Sequence, residues 1–154
     1  MHPEQEILKP ENFASYQVLV AWGTNQLQLQ QELPQLRKKD LISIQRLSED
    51  VRIPTQGSKL TAGHDLYSIE VLSIPANNRA LVRTGLGIAV PEGTYGRLAS
   101  RSGLAIKSIT VDAGVIDADY RGELKVLLVN HSEIDYKVQK GDRIAQLIVG
   151  KIDQ

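Results

Sequence analysis

The sequence predicts an all-β domain, and three observations support that prediction. From residue 41 onward, short runs of valine, isoleucine and leucine alternate with turn-forming residues, which is typical of many short strands. Eleven of the 12 glycines lie in this part of the chain, between those runs. No long helical period occurs there, apart from a candidate turn near residues 102–106. Closely spaced short strands favour a sandwich, a barrel or a jelly roll.

Composition divides the 154-residue chain near residue 40. Residues 1–40 are rich in glutamine and leucine, and we interpret them as an N-terminal extension of unknown role. Residues 41–154 form the predicted domain, which is long enough to bury a sizeable core. Within the extension, alternation over residues 16–22 predicts a strand. Leucines over residues 27–36 could line a helix, which Pro34 would interrupt.

Ten strands are predicted in the domain. Each is an apolar run that ends at a cluster of proline, glycine, asparagine or aspartate. The predicted strands span residues 41–47, 66–72, 79–83, 86–90, 94–99, 106–111, 114–116, 122–130, 134–138 and 143–150.

Composition and charge exclude several functional classes. The 18 basic and 18 acidic residues balance, so we expect no nucleic-acid partner. The chain has no cysteine and hence no disulfide, thiolate nucleophile or Cys-based zinc site. Its three histidines lack metal-ligand spacing. Without a span of about 18 apolar residues or a secretory leader, we expect a soluble intracellular protein, in cytoplasm or nucleus, with no membrane partner.

Four segments have an unusual polar content, whereas P-loop, Rossmann and GxSxG motifs do not occur. The most informative segment, GVIDADYRGELKV, concentrates carboxylates, an aromatic ring, a guanidinium and a glycine in a strand-like run. Because β-propensity disfavours Asp and Gly, we interpret these residues as carrying chemistry rather than serving the fold. The four segments are AGHDLYS (62–68), GRLASRSGLA (96–105), GVIDADYRGELKV (114–126) and GDRIAQLIV (141–149).

The third segment predicts a hairpin, because strands at residues 109–111 and 115–116 flank Asp112-Ala-Gly114. Its backbone N–H and C=O groups could imitate a base-pairing edge. After the hairpin, Asp117 could act as a general base and Tyr120 could offer a flat face to a sugar. The alternative makes the aspartates turn residues and Tyr120 a core residue. Arg121 could pair with Asp119 as structural support.

The second and fourth segments contain candidate anion-binding residues. Arg101, Ser102 and Gly103 combine a bidentate cation, a hydroxyl and a residue that allows close approach of backbone amides, which together suit a phosphate. The alternative is an ordinary turn with a surface arginine. Gln146 either pairs within the core or contacts a ligand. Arg143 is expected to pair structurally with its neighbour Asp142.

Together these four segments resemble the trimeric dUTPase family (dUTP diphosphatases) over residues 41–150. The resemblance implies a β-clip or jelly-roll barrel that assembles as a homotrimer with sites at subunit interfaces. It implies an enzyme, a hydrolase of nucleotide metabolism that converts dUTP and water to dUMP and pyrophosphate. Two positions depart from the family: His64 replaces a usual aromatic residue, and Ser100 replaces a usual proline.

The resemblance also implies roles in recognising the base and sugar. Asp117 matches the aspartate that activates the water attacking the α-phosphate. Tyr120 matches the tyrosine that packs on the deoxyribose and leaves no room for a 2′-hydroxyl. The hairpin through Gly114 and Ile116 would recognise uracil with backbone groups and exclude cytosine.

The remaining matched positions imply phosphate and metal binding. Phosphates would be bound by Arg101, Ser102, Gly103 and Gln146. The implied cofactor is Mg²⁺, which Asp65 would hold through metal-bound water rather than directly. Structural support of the site is assigned to Asp119, Arg121 and Arg143.

The family's fifth motif, a glycine-rich C-terminal arm with an arginine and a phenylalanine, has no counterpart in residues 150–154. We therefore expect weakened activity. The alternative is a catalytically weak or inactive nucleotide-binding or interaction module with this fold, such as part of a retroelement polyprotein. The related dCTP deaminases share the fold but would need a different acid–base set from GVIDADYRG.

Overall fold

The structure is a computed structural model that describes residues 18–21, 41–58 and 60–153. The described chain is built from short strands with one brief helical turn. In chain order the elements are β1 (Val18–Ala21), β2 (Leu41–Arg46), β3 (His64–Tyr67), β4 (Leu72–Ile74), β5 (Arg79–Ala89), β6 (Thr94–Ala99), α1 (Ser102–Ala105), β7 (Ile109–Asp112), β8 (Val115–Ile116), β9 (Glu123–Asn130), β10 (Tyr136–Val138) and β11 (Arg143–Lys151).

The strands form three antiparallel sheets. A five-stranded sheet has the order β1-β2-β5-β9-β7, a four-stranded sheet has the order β3-β11-β6-β8, and β4 pairs with β10 in a two-stranded ribbon. Most neighbours in these sheets are distant in sequence, so the fold depends on long-range pairing. The all-β prediction is confirmed.

One apolar cluster connects all three sheets. In β9, Leu124, Val126 and Leu128 alternate with less buried residues and are 0% exposed. They pack in the same cluster as Leu66 and Leu147 of the four-stranded sheet. Each such side chain contributes about 1.5–3 kcal/mol on burial, so the period-two pattern that predicted the strands also supplies their stability.

The strand predicted over residues 66–72 is wrong. The sequence there forms two strands, β3 and β4, separated by a turn at Ser68. The Ser68 hydroxyl donates to the carbonyl oxygen of Glu70 (2.9 Å) and accepts from its N–H (3.0 Å). This local side-chain pairing competes with the sheet, which explains why the strand ends at Tyr67.

The two strands predicted at residues 79–83 and 86–90 are a single strand, β5. Its pairing with β9 shifts register between Arg83 and Gly87. Gly85, between them, has φ +69°, and a Cβ there would lie 2.5 Å from Cγ2 of Val51. Glycine therefore allows an irregularity in mid-strand instead of ending the strand.

The predicted hairpin of residues 109–116 is also wrong. Strand β7 pairs with β9, whereas β8 pairs with β6 in the other sheet. Between them, Ala113 (φ 59°) and Gly114 (φ 101°) adopt left-handed conformations that redirect the chain from one sheet to the other. The strand predicted from residue 106 begins only at Ile109, because α1 and a turn precede it.

The strand predicted in the extension is found at β1, which pairs with β2 at the edge of the five-stranded sheet. The helix considered for residues 27–36 lies outside the described residues, and the domain boundary at residue 40 stays a prediction. No helix in the described part of the chain is long and apolar enough to cross a bilayer.

Candidate active site

Asp65 lies at the centre of an ion cluster on the four-stranded sheet. Its backbone is held on one side by pairing with Gln146 of β11 and on the other by a two-way bridge to Thr55 (2.6 and 3.2 Å). Its carboxylate accepts from Nε of Arg101 at 3.2 Å and lies 3.8 Å from Nη1 of Arg143. The Asp65 side chain is 17% exposed, so the pair with Arg101 is partly shielded from water.

Arg101 directly precedes α1 and has an extended backbone (φ −84°, ψ 134°). Its carbonyl oxygen accepts from the N–H groups of Leu104 (3.1 Å) and Ala105 (2.9 Å), which starts the helical turn. The amides of Ser102 and Gly103 come before these bonds and are therefore available to other acceptors. In the described part of the chain, a Cβ at residue 103 would meet nothing within 4 Å. Residues 101–103 can therefore accommodate an anion.

Gln146 lies between the strand that carries Asp65 and the strand that leads to Arg101. On β11 it pairs with Asp65 of β3 and with Ala99 of β6, and its Nε2 donates to the carbonyl oxygen of Ser100 at 3.1 Å. A Cβ at Gly63 would lie only 2.9 Å from Oε1 of Gln146. The side chain is thus positioned by internal contacts, and its contact with a phosphate stays a prediction.

Arg143 does not pair with Asp142 as the sequence suggested. Its guanidinium faces Asp65, whereas Oδ2 of Asp142 accepts from the N–H of Gln139 at 2.8 Å. The turn before β11 uses that carboxylate to satisfy a backbone donor. Arg143 is therefore free of its chain neighbour and adds positive charge to the Asp65 cluster.

The turn of residues 112–117 is fixed against β6. The carbonyl oxygen of Gly114 accepts from the N–H of Leu98 at 2.7 Å, and Ile116 pairs with Gly96. A Cβ at residue 114 would lie 2.6 Å from the carbonyl oxygen of Leu98, so a larger residue does not fit. Oδ1 of Asp112 accepts from the N–H of Ala113 at 2.9 Å and stabilises the left-handed residue.

Tyr120 and Asp117 lie in the next turn. The Asp117 carbonyl oxygen accepts from the Tyr120 N–H at 3.0 Å, and its carboxylate is in an exposed residue. The Tyr120 hydroxyl donates to the carbonyl oxygen of Glu123 at 2.8 Å. Burial raises the pKa of Tyr120, and the Glu123 carboxylate raises it further, so the hydroxyl stays a donor at neutral pH. A Cβ at Gly122 would overlap the Tyr120 ring.

Arg121 supports this turn through the backbone. Its Nη1 donates to the carbonyl oxygens of Ala118 (2.8 Å) and Tyr120 (3.1 Å). The pairing of Arg121 with Asp119 stays a prediction. Charge-assisted bonds to carbonyl oxygens are stronger than neutral ones, so they hold the Asp117–Tyr120 turn in one conformation.

His64, next to Asp65, is a buried residue with 6% exposure. Its Nε2 has no hydrogen-bond partner in the described structure. Burial lowers the pKa of His64 below its ordinary value of 6.5, and the Asp65 carboxylate opposes this shift. The imidazole is therefore neutral at physiological pH, like the aromatic residue usual at this position.

The predicted residues thus form two groups. Asp65, Arg101 and Arg143 form the ion cluster, to which Gln146 is joined through Ser100. The described residues show no side-chain hydrogen bond or ion pair from Asp117 or Tyr120 to that cluster. Ser100 and Gly63 also contact the site residues, and neither was predicted from the sequence as a contact of the site. The unusual serine in the second segment was the available signal for Ser100.

Sequence comparison places the chain among known enzymes. A profile of the dUTPase family matches residues 49–154. A deoxyuridine 5′-triphosphate nucleotidohydrolase of Candida albicans is 55% identical over 123 residues, which are 76% of this chain and 77% of that protein. The enzyme of the same name from Arabidopsis thaliana is 60% identical over 110 residues, which are 71% of this chain and 66% of that protein.

Solved structures agree with the sequence relatives. The dUTPase of phage phi11 of S. aureus has a TM-score of 0.70 at 27% identity, covering 73% of this chain and 91% of that one. A mutant of the Staphylococcus bacteriophage 80alpha dUTPase, solved with dUpNHpp, has a TM-score of 0.70 at 28% identity, with the same coverage of 73% and 91%. The chain therefore belongs to the dUTPase family, whose activity is the hydrolysis of dUTP.

Proposed function

We propose that the chain hydrolyses dUTP to dUMP and pyrophosphate through Asp117, which takes a proton from the water that attacks the α-phosphate. The water oxygen forms a bond to the α-phosphorus, and the bridging oxygen leaves with pyrophosphate. A positioned general base contributes about 10²–10⁴-fold to such a step. The observation that carries the proposal is the exposed Asp117 at the end of a turn that backbone bonds hold rigidly.

Residues 112–117 form the base-recognition turn in this proposal. Uracil presents an N–H donor between two carbonyl acceptors, whereas cytosine presents an amino donor in place of one acceptor. Backbone groups around Gly114 and Ile116 can distinguish these patterns only if they are fixed, and the bond from Leu98 to Gly114 fixes them. The Tyr120 ring, held over Gly122, is the proposed surface for the deoxyribose.

Residues 101–103 form the proposed phosphate-binding segment, with Gln146 beside it. Two guanidiniums, of Arg101 and Arg143, face the single carboxylate of Asp65, so the cluster keeps net positive charge for a triphosphate. Phosphoryl chemistry needs mainly positioning and charge neutralisation from the protein. The open space at Gly103 allows a phosphate oxygen to approach the backbone amides.

Mg²⁺ is the proposed cofactor. A mutant dUTPase of phage phi11, with a TM-score of 0.69 and 27% identity to this chain, is described with a structural Mg(II) ion. The described residues contain no group of three His, Cys, Asp or Glu residues that could hold a metal ion alone. A metal ion here would therefore be held mostly by substrate phosphates and water, which are the ligands that Mg²⁺ prefers. Asp65 retains lone pairs beyond its arginine contacts and could accept bonds from such water. Bound Mg²⁺ would neutralise phosphate charge.

We further propose that the partners are dUTP and two more copies of this chain in a homotrimer. The described contacts of one chain do not join Asp117 and Tyr120 to the Asp65 cluster by side-chain bonds. Assembly would allow the two groups of one site to come from neighbouring copies. Val115, within the base-recognition turn, is 66% exposed in the single chain, which is consistent with an interface there.

The test replaces Asp117 by Asn. We expect kcat for dUTP to fall by about 10²–10⁴-fold, because the amide cannot accept the proton, while dUpNHpp still binds. Pyrophosphate release and calorimetric titration measure the two quantities.

Asp119→Asn is the matched control, since Asp119 is an exposed carboxylate in the same turn. Because Asp119 is assigned a supporting role and not proton transfer, kcat should fall far less than in Asp117→Asn. Equal losses in both variants, or full activity of Asp117→Asn, would contradict the role of Asp117. A wild-type protein that binds dUpNHpp without hydrolysing dUTP would favour a non-catalytic binding module.

A further inference from the structure

Ser100 connects the base-recognition turn to the phosphate-binding segment. Its Oγ accepts from the N–H of Val111 at 2.9 Å, and its carbonyl oxygen accepts from Nε2 of Gln146 at 3.1 Å. The next residue, Arg101, makes the ion pair with Asp65. Ser100 therefore contacts the strand that leads into the turn, and the next residue in the chain is the arginine that would bind phosphate.

The hydroxyl contact lies at an edge of the five-stranded sheet. Strand β7 is terminal in that sheet and pairs with β9. Its Val111 N–H is bonded to Ser100 instead of another strand. Within the turn, the Gly114 carbonyl oxygen accepts from the Leu98 N–H at 2.7 Å. Ser100 thus holds the residue before the turn, Leu98 holds its middle and Gly96 pairs with Ile116 near its end, and of these three contacts only the one from Ser100 depends on a side chain.

We propose that Ser100 is a positioning residue for base selection: its hydroxyl fixes the start of the base-recognition turn, so that the turn accepts uracil and rejects cytosine. The inference rests on the proposed function of that turn. Hydrogen bonds weaken steeply when the donor angle departs from linearity, so a turn whose start is held by the pairing of β7 with β9 alone would discriminate the two bases less well. Alanine or proline at residue 100 offers no side-chain acceptor, so this link is specific to the serine.

The test compares dUTP with dCTP in wild type and in Ser100→Ala. We expect the ratio of kcat/KM for dUTP to that for dCTP to fall about threefold to tenfold, the range for one hydrogen bond. The loss should lie in KM for dUTP and in dUpNHpp affinity. Because Ser100 has no contact with the Asp117 carboxylate, kcat should stay within about twofold of wild type.

Two further variants separate positioning from folding. Ser100→Thr keeps the hydroxyl and should restore the dUTP-to-dCTP ratio, whereas Ser100→Cys, with a weaker acceptor, should fall between alanine and serine. Amide exchange at Val111 should quicken in Ser100→Ala and not in Ser100→Thr. These variants keep the test decisive even if the alanine variant folds poorly.

Several outcomes would overturn the inference. A lower melting temperature with an unchanged dUTP-to-dCTP ratio would make Ser100 a purely structural residue. If wild type hydrolyses dUTP and Ser100→Ala leaves the dUTP-to-dCTP ratio unchanged, only the role of Ser100 is refuted. If wild type does not hydrolyse dUTP, the proposed function is refuted. In that second case dUpNHpp affinity still tests Ser100, because binding needs the turn and not the chemistry.

Discussion

At the scale of single residues, Gly114 has two separate reasons to be glycine. Its φ of +101° is unfavourable for any side chain, and a Cβ would lie 2.6 Å from the carbonyl oxygen of Leu98. Gly93 shares the first reason, with φ +82°, but a Cβ there would meet nothing within 4 Å. The two glycines therefore form a matched pair that separates backbone strain from steric conflict.

We expect Gly93→Ala to lower the free energy of unfolding by about 1–2 kcal/mol through strain alone. Gly114→Ala should cost about 1–3 kcal/mol more, since the opposing atom is backbone and cannot rotate away. Only Gly114→Ala should also weaken dUpNHpp binding, because it displaces the base-recognition turn. Denaturant unfolding and calorimetric titration measure these effects. Equal effects of the two substitutions on both quantities would show that the Leu98 contact is unimportant.

At the scale of elements, the pairing of β3 with β11 aligns Asp65 with Gln146. Gly63 precedes β3, and a Cβ there would lie 2.9 Å from Oε1 of Gln146 and 3.1 Å from the carbonyl oxygen of Leu147. The Gln146 side chain can move, but the carbonyl of β11 can do so only with its strand. Glycine at this position is therefore a condition for close approach of the two strands.

We expect Gly63→Ala to cost about 1–3 kcal/mol of unfolding free energy and to raise KM for dUTP, because it separates Asp65 from its neighbours on β11. Gly57→Ala is the control: among the described residues a Cβ there would meet Oγ1 of Thr61 alone, at 3.9 Å, so the change should stay within about 0.5 kcal/mol. Unfolding curves and steady-state kinetics measure both variants. An unchanged KM in Gly63→Ala would mean that the strand separation is not needed for phosphate binding.

The local alternation of apolar residues predicted correctly those strands whose ends depend on their own sequence. The prediction for residues 122–130 matches β9, and that for residues 143–150 matches β11, to within one residue at each end. Both are long apolar alternations with one buried face. The hairpin at residues 109–116 failed for the opposite reason. Periodicity shows that a segment is extended, but the choice of partner depends on contacts with distant strands.

The contacts of the candidate site could likewise be predicted only in part from the sequence. The cluster of carboxylate and arginines joins residues 36 positions apart, and no spacing rule gives such a contact. Arg101 was a candidate from its own segment, the site roles of Asp65 and Arg143 came through resemblance to a family, and the structure supplies the pairing of the three. The link from Ser100 to Val111 was not foreseen, because a serine after a strand usually signals a local turn.

At the scale of the whole molecule, the candidate site residues involve both large sheets. The Asp65 cluster belongs to the four-stranded sheet, and the base-recognition turn carries the chain into it from the five-stranded sheet. Side chains of both sheets pack in one apolar cluster beneath. The geometry of the site and the stability of the fold are therefore coupled, and a buried titratable group affects both.

His64 is such a group, and it makes the stability of the molecule depend on pH. It is 6% exposed, its Nε2 has no partner in the described structure, and burial lowers its pKa below 6.5. Above about pH 7.5 it is neutral in both folded and unfolded chains and contributes no pH dependence. As pH falls below 6.5, the unfolded chain binds a proton that the folded chain does not. Unfolding free energy then falls by up to about 1.4 kcal/mol per pH unit until the lowered pKa is reached.

We expect His64→Phe to remove this part of the pH dependence while retaining an aromatic side chain in the core. Wild type and variant should therefore differ in the slope of unfolding free energy between pH 7.5 and 5 in denaturant titrations without nucleotide or metal. His131→Phe is the control, because His131 is an exposed histidine and its replacement leaves the buried His64 in place. It should keep the wild-type slope. Parallel slopes for wild type and His64→Phe would mean that His64 is protonated as easily in the folded chain as in the unfolded one, and that its burial has no energetic consequence.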